Sequence, residues 1–87
     1  MGTVKIFYKD DCPMCPMAKK LKDNLRAKNV DVDDFNVETL EGLTEATYYR
    51  VMALPTIVVE DETENWVGEW RGNVPNVDEV LHVVHGV

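Results

Sequence analysis

Cys12 and Cys15 are the only two cysteines of the chain, and they frame the segment Asp11-Cys12-Pro13-Met14-Cys15-Pro16. Thiols at i and i+3 at the start of a helix share one face, with Cβ atoms about 5–6 Å apart, near enough to close into a disulfide. With a helix starting here, the first thiol would stand among unpaired backbone N–H groups at the positive end of the helix dipole, an environment that favours thiolate over thiol. Such a pair can cycle between dithiol and disulfide. In a reducing compartment this spacing reads as catalytic or metal-binding, because a structural disulfide is hard to maintain there.

The flanking segments are the ones that must position the pair. Thr3 to Tyr8 is rich in β-branched and aromatic residues and predicts a strand buried in part on both faces. Pro13 suits the first turn of a helix, and Met14, Met17, Ala18, Leu21 and Leu25 then recur at three- and four-residue steps as one apolar stripe, with Met14 and Met17 as core or rim residues. Pro16 is awkward: with Cys12 as N-cap it would remove the first intrahelical hydrogen bond, so a distorted first turn is expected.

Further along, Val30, Val32, Phe35 and Val37 mark a second strand, with Asp33-Asp34 at a bulge or sheet edge. Leu40, Leu43, Ala46 and Thr47 suit a helix from Thr39 or Thr44 to Val51, weakened at its start by Gly42. Pro55 to Glu60 reads as a third strand with proline first, where no ladder donor is needed. The polar turn Asp61 to Glu64 leads into a fourth strand through Trp66, Val67 and Trp70. Asn76 with Glu79 starts a last helix carrying Val77, Val80, Leu81 and Val84, with Gly86 as its stop. The order β-α-β-α-β-β-α, without repeat or linker, predicts a single α/β domain over 1–87.

Composition narrows the function. The 45% apolar content fits a globular chain, and a net charge of −7 argues against nucleic acid as a partner, since phosphate contacts need a basic surface. Lys19, Lys20, Lys22, Arg26 and Lys28 nevertheless gather in one short stretch, where basic residues near a helix C-terminus complement its dipole. No apolar run approaches the roughly 20 residues of a membrane span, and the N-terminal run carries Lys5 in a strand-like pattern rather than a signal-peptide core. No membrane association and a cytoplasmic setting are expected.

This element order, with a dithiol at the first strand-helix junction, resembles the thioredoxin superfamily in its short glutaredoxin-like form. The resemblance implies a four-stranded mixed sheet flanked by three helices, with the first and third strands central and antiparallel. On that topology Pro55, Trp70 and the loop Arg71-Gly72-Asn73-Val74-Pro75 reach the same edge as Cys12. The resemblance further implies a cis bond before Pro55, which turns the backbone of Leu54 toward the thiols, where an extended substrate segment could pair with it.

Ile6-Phe7-Tyr8-Lys9-Asp10-Asp11-Cys12 looks like the glutaredoxin pattern in which a lysine at the position of Lys9 binds a glutathione carboxylate, but Ala53-Leu54-Pro55 replaces the usual Thr-Val-Pro. Trp70-Arg71-Gly72-Asn73-Val74-Pro75 instead resembles the Trp-Ser-Gly-Phe-Arg-Pro segment of NrdH redoxins, matching at Trp70, Gly72 and Pro75. Asp11 before the first cysteine and Ile6 on the strand separate the chain from the larger thioredoxins, which carry tryptophan and a buried aspartate there.

The expected function is therefore thiol-disulfide exchange with protein targets, with Cys12 as nucleophile and Cys15 as resolver. Lys9, Pro13, Met14, Leu54, Pro55, Trp70 and Gly72 form the expected substrate-binding set. Lys9 would favour the Cys12 thiolate, and Asp10 and Asp11 would oppose it at close approach. The redox-active disulfide is the only redox group expected, with no bound cofactor or metal. The expected partners are disulfide-bearing proteins, ribonucleotide reductase among them, and an upstream reductase of thioredoxin-reductase-like or ferredoxin-dependent type. A monomer is expected. A glutathione-dependent glutaredoxin and an iron-sulfur or metal-binding module are the alternatives. His82 and His85 are not expected to join the cysteines at zinc, because the last helix carries them toward the opposite end of the sheet.

Overall fold

A computed structural model describes residues 2–85. Its elements follow the expected order: β1 (Thr3–Tyr8), α1 (Cys15–Ala27), β2 (Asp31–Asn36), α2 (Leu40–Tyr48), β3 (Thr56–Glu60), β4 (Trp66–Arg71) and α3 (Val77–His85). The four strands form one mixed sheet in the order β2-β1-β3-β4, with β1 parallel to β2 and antiparallel to β3. The hairpin β3–β4 is antiparallel, with a register shift at Val59/Glu60. The expected α/β thioredoxin-like architecture is the one observed. Gly86, the expected helix stop, lies outside the described residues.

Alternation along the strands assigns two cores. Val4, Ile6, Ile57 and Val59 pack with Ala18, Leu21 and Leu25 of α1 and Val80 of α3 on one face. Phe7 and Val58 pack with Ala46 and Tyr49 on the α2 face. All five residues of β3 are buried, as a central strand covered on both sides requires. The Asp33-Asp34 pair lies on an edge strand without a bulge in its pairing to β1, and Asp34 is used: Lys22 Nζ and Arg26 Nη2 of α1 approach its carboxylate at 3.2 and 3.5 Å. Two of the clustered basic residues thus tie α1 to β2.

The second helix begins at the earlier of its two candidate starts. Thr39 is the N-cap, its hydroxyl accepting from the Gly42 N–H at 3.0 Å. Gly42 is required rather than merely tolerated, because a Cβ there would overlap the Asn36 carbonyl oxygen. The helix ends at Tyr48 rather than Val51, since Arg50 adopts φ +55°, which helical backbone does not allow. The last helix opens as expected, with the Asn76 Oδ1 accepting from the Glu79 N–H at 2.8 Å.

Lys5, in mid-strand, is accommodated by an internal polar network on the α2 face. Its ammonium donates to the Tyr49 hydroxyl at 2.7 Å and lies 3.4 Å from Glu60 Oε1, while the Tyr49 hydroxyl donates to Glu60 Oε2 at 2.8 Å. Burial disfavours the charged lysine, but the Tyr49 hydrogen bond and the Glu60 carboxylate outweigh it and hold Lys5 above the usual lysine range. Burial likewise pushes the Tyr49 hydroxyl up. Both groups therefore keep their protons longer when folded than when unfolded. Their stabilisation is complete at neutral pH and is lost as pH rises past about 10, where the unfolded chain deprotonates first. Urea unfolding midpoints should fall between about pH 9 and pH 11, and fall less steeply in Tyr49→Phe, which lacks one of the two titrating groups.

Candidate redox site

Cys12 and Cys15 are joined as a disulfide, with Cα atoms 5.1 Å apart. Cys12 lies in the turn between β1 and α1 and Cys15 is the first residue of the helix. Both are largely enclosed, Cys12 at 6% exposure and Cys15 at 2%.

The helix start differs from the expectation, and Pro16 is the reason. A helix capped by Cys12 would need the N–H of Pro16 to reach the Cys12 carbonyl, and proline has none. The Cys12 carbonyl instead accepts from the Cys15 N–H at 3.2 Å, which closes a tight turn. Met14 becomes the N-cap, with the Met17 N–H bonded to its carbonyl at 3.1 Å. Pro13 accordingly sits in the turn ahead of the helix rather than in its first turn. Of the N–H groups at this end of the helix, those of Cys15 and Met17 are bonded within the turn and the first helical turn, and Pro16 has none. Met14 and Met17 leave the core stripe and stand at 36% and 56% exposure on the rim of the turn.

The sheet register brings the proline loop to this edge. Phe7 pairs with Thr56, so β3 starts where β1 ends, and Pro55 precedes that pair beside the cysteine turn. The Leu54-Pro55 bond is cis, as the resemblance implied. Gly72 closes on the same loop: its N–H donates to the Pro55 carbonyl at 2.8 Å, with φ +78°. The Thr56 hydroxyl, which no sequence signal marked, donates to the Ala53 carbonyl at 2.6 Å. Pro55, Leu54 and Gly72 are thus assembled around one short loop.

The other expected residues are placed more loosely. Lys9 is exposed just past β1, and no ion pair with it occurs among the described residues. The loop that carries it is tied instead by the Asp10 N–H donating to Glu38 Oε1 at 3.3 Å and by Lys19, whose ammonium lies 5.2 Å from the Tyr8 ring centre. Trp70 is half-buried against the α1/α3 core and borders a shallow depression with Asn76, Glu79 and His82. His82 and His85 lie in the last turn of α3. The neighbouring Val83 and Val84 line a hollow with Gly2, Glu60 and Asp61, at the sheet end opposite the cysteines. Among the described residues no group of three or more His, Cys, Asp or Glu could hold a metal ion.

A family model for the thioredoxin domain matches residues 2–85. The chain belongs to the thioredoxin family. It is 32% identical over 63 residues to an Archaeoglobus fulgidus protein named Probable Thioredoxin, covering 71% of this chain and 69% of that one. It is 34% identical over 64 residues to a thioredoxin of Methanocaldococcus jannaschii, covering 70% and 73%. The structure of thioredoxin 1 from Thermosipho africanus shares the fold at a TM-score of 0.74 and 21% identity, covering 93% of this chain and 88% of that one. With Cys12 and Cys15 as its redox disulfide, this member of the thioredoxin family is a thiol-disulfide oxidoreductase by family and by motif.

Gly72 offers a direct check on the loop. A side chain there would adopt a left-handed backbone, and its Cβ would stand 3.4 Å from the Ala53 Cβ. Gly72→Ala should lower stability by roughly 1–2 kcal/mol, read from urea unfolding, without altering disulfide formation between Cys12 and Cys15.

Proposed function

We propose that this chain is a protein-disulfide reductase of the small redoxin type, acting in the cytoplasm as a monomer. The observation that carries the proposal is the Cys12–Cys15 disulfide at the head of α1, beside a loop whose Leu54 main-chain groups form no hydrogen bond among the described residues. An extended segment of a target can add to that open peptide unit as a short strand, a mode that depends on backbone and accepts many sequences.

In the reaction, the Cys12 thiolate attacks one sulfur of the target disulfide. A Cys12–target bond forms, the target S–S bond breaks, and the released target thiolate takes a proton from solvent. Cys15, deprotonated in turn, attacks the Cys12 sulfur; the Cys12–Cys15 bond forms and the second target thiol leaves with a proton. Two electrons pass to the target. An upstream reductase, thioredoxin-reductase-like or ferredoxin-dependent, returns them to the protein. The segment from Trp70 to Pro75, with its likeness to NrdH redoxins, supports ribonucleotide reductase as one target class.

Insulin disulfide reduction with dithiothreitol as terminal reductant tests the reading. Cys12→Ser should abolish the protein-dependent rate, and retention of activity would reject the assigned nucleophile. Cys15→Ser should accumulate a mixed disulfide with insulin visible on a non-reducing gel. Turnover that saturates with glutathione in a hydroxyethyl disulfide assay, with none on insulin, would favour the glutaredoxin alternative.

A further inference from the structure

Where the chain leaves α2 for β3, the carbonyls of Tyr49, Arg50, Ala53 and Pro55 are each held by a neighbour. Arg71, the last residue of β4, holds two of them: Nη1 donates to the Arg50 carbonyl at 2.9 Å and Nη2 to the Tyr49 carbonyl at 3.2 Å. Its Nε is bonded to the Glu69 carboxylate on the same strand. Tyr49 is the C-cap of α2, and carbonyls at that end of a helix have no partner within it. Beyond them the Val51 N–H returns to the Ala46 carbonyl at 2.8 Å, the Thr56 hydroxyl holds the Ala53 carbonyl, and the Gly72 N–H holds that of Pro55. The open Leu54 peptide unit is thus framed by fixed groups on either side, and Met52 beside it stands out at 92% exposure.

We propose that Arg71 is a positioning residue for substrate docking, its guanidinium fixing the α2 end of the loop so that the Leu54 peptide unit meets the incoming target strand in line with Cys12. This rests on the docking role assigned to Leu54 above. The bonds of Arg71 run to the α2 end and to Glu69 rather than to the thiols, so it acts through the loop. A planar, fully charged fork can serve two successive carbonyls and a carboxylate at once, whereas an ammonium on a flexible stem cannot keep that geometry. Glu69 orients the fork. The disulfide chemistry depends on Cys12 and Cys15 alone. Loss of the clamp should therefore weaken capture of a protein substrate while leaving exchange with a small disulfide intact.

The test compares wild type, Arg71→Met, Arg71→Lys and Glu69→Gln on insulin and on hydroxyethyl disulfide, with dithiothreitol as reductant and circular dichroism to establish folding. Arg71→Met should raise KM for insulin by about tenfold, the equivalent of one lost docking hydrogen bond, with kcat changed far less. Its rate on hydroxyethyl disulfide and its midpoint in a dithiothreitol redox titration should match wild type. Arg71→Lys should remain near Arg71→Met, because charge without the fork does not restore the clamp, and Glu69→Gln should show a smaller rise. An unchanged KM for insulin, an equal loss on both substrates, or full rescue by lysine would overturn the assignment. Failure of the wild type itself to reduce insulin would instead remove the docking reading on which it rests.

Discussion

The antiparallel pairing of β1 with β3 is the constraint from which the site follows. Phe7 opposite Thr56 makes the strand that leads into the cysteines end where the strand that follows Pro55 begins. The register has little freedom. Ile57 and Val59 face the α1/α3 core while Val58 faces Phe7 and the α2 core, and a one-residue slip would exchange those faces. It would also carry Glu60 away from Lys5 and Tyr49 and leave a buried carboxylate without its partners. Apolar packing and one internal ion network therefore fix the same alignment, and that alignment brings two distant segments to one edge.

Around the thiols, the chain is shaped chiefly by what proline cannot do. Pro16 denies the Cys12 carbonyl its helical partner, so the Cys15 N–H takes that place and the helix starts later. The resulting turn leaves Cys12 ahead of the helix and Cys15 at its head, an asymmetry suited to separate attacking and resolving roles.

Much of this was legible in the chain itself. The apolar alternation of Thr3 to Tyr8, the run after Pro55, and the pairing of Asn76 with Glu79 are local signals, and each marks an element close to where it forms. The CxxC spacing and Pro55 pointed to the site because their chemistry depends on residue type. What sequence could not supply were contacts between distant residues. Lys5 reads as a polar interruption until Tyr49 and Glu60 are seen to receive it. Met14 and Met17 fit a helical stripe by spacing, but both stand on the rim, Met14 as the N-cap and Met17 in the first turn of α1. Arg71 was visible only as a mismatch to a related motif, because its partners are carbonyls of Tyr49 and Arg50, and backbone acceptors carry no sequence signature.

The central claim is that the fold divides the two sulfurs into an attacking thiol ahead of the helix and a resolving one at its head. Limited alkylation measures this directly: the fully reduced native protein is exposed briefly to iodoacetamide, quenched, and mapped by peptide mass spectrometry. Modification confined to Cys12, with Cys15 reacting only after denaturation, is the predicted result. Equal labelling of the two cysteines, or preferential labelling of Cys15, would contradict it.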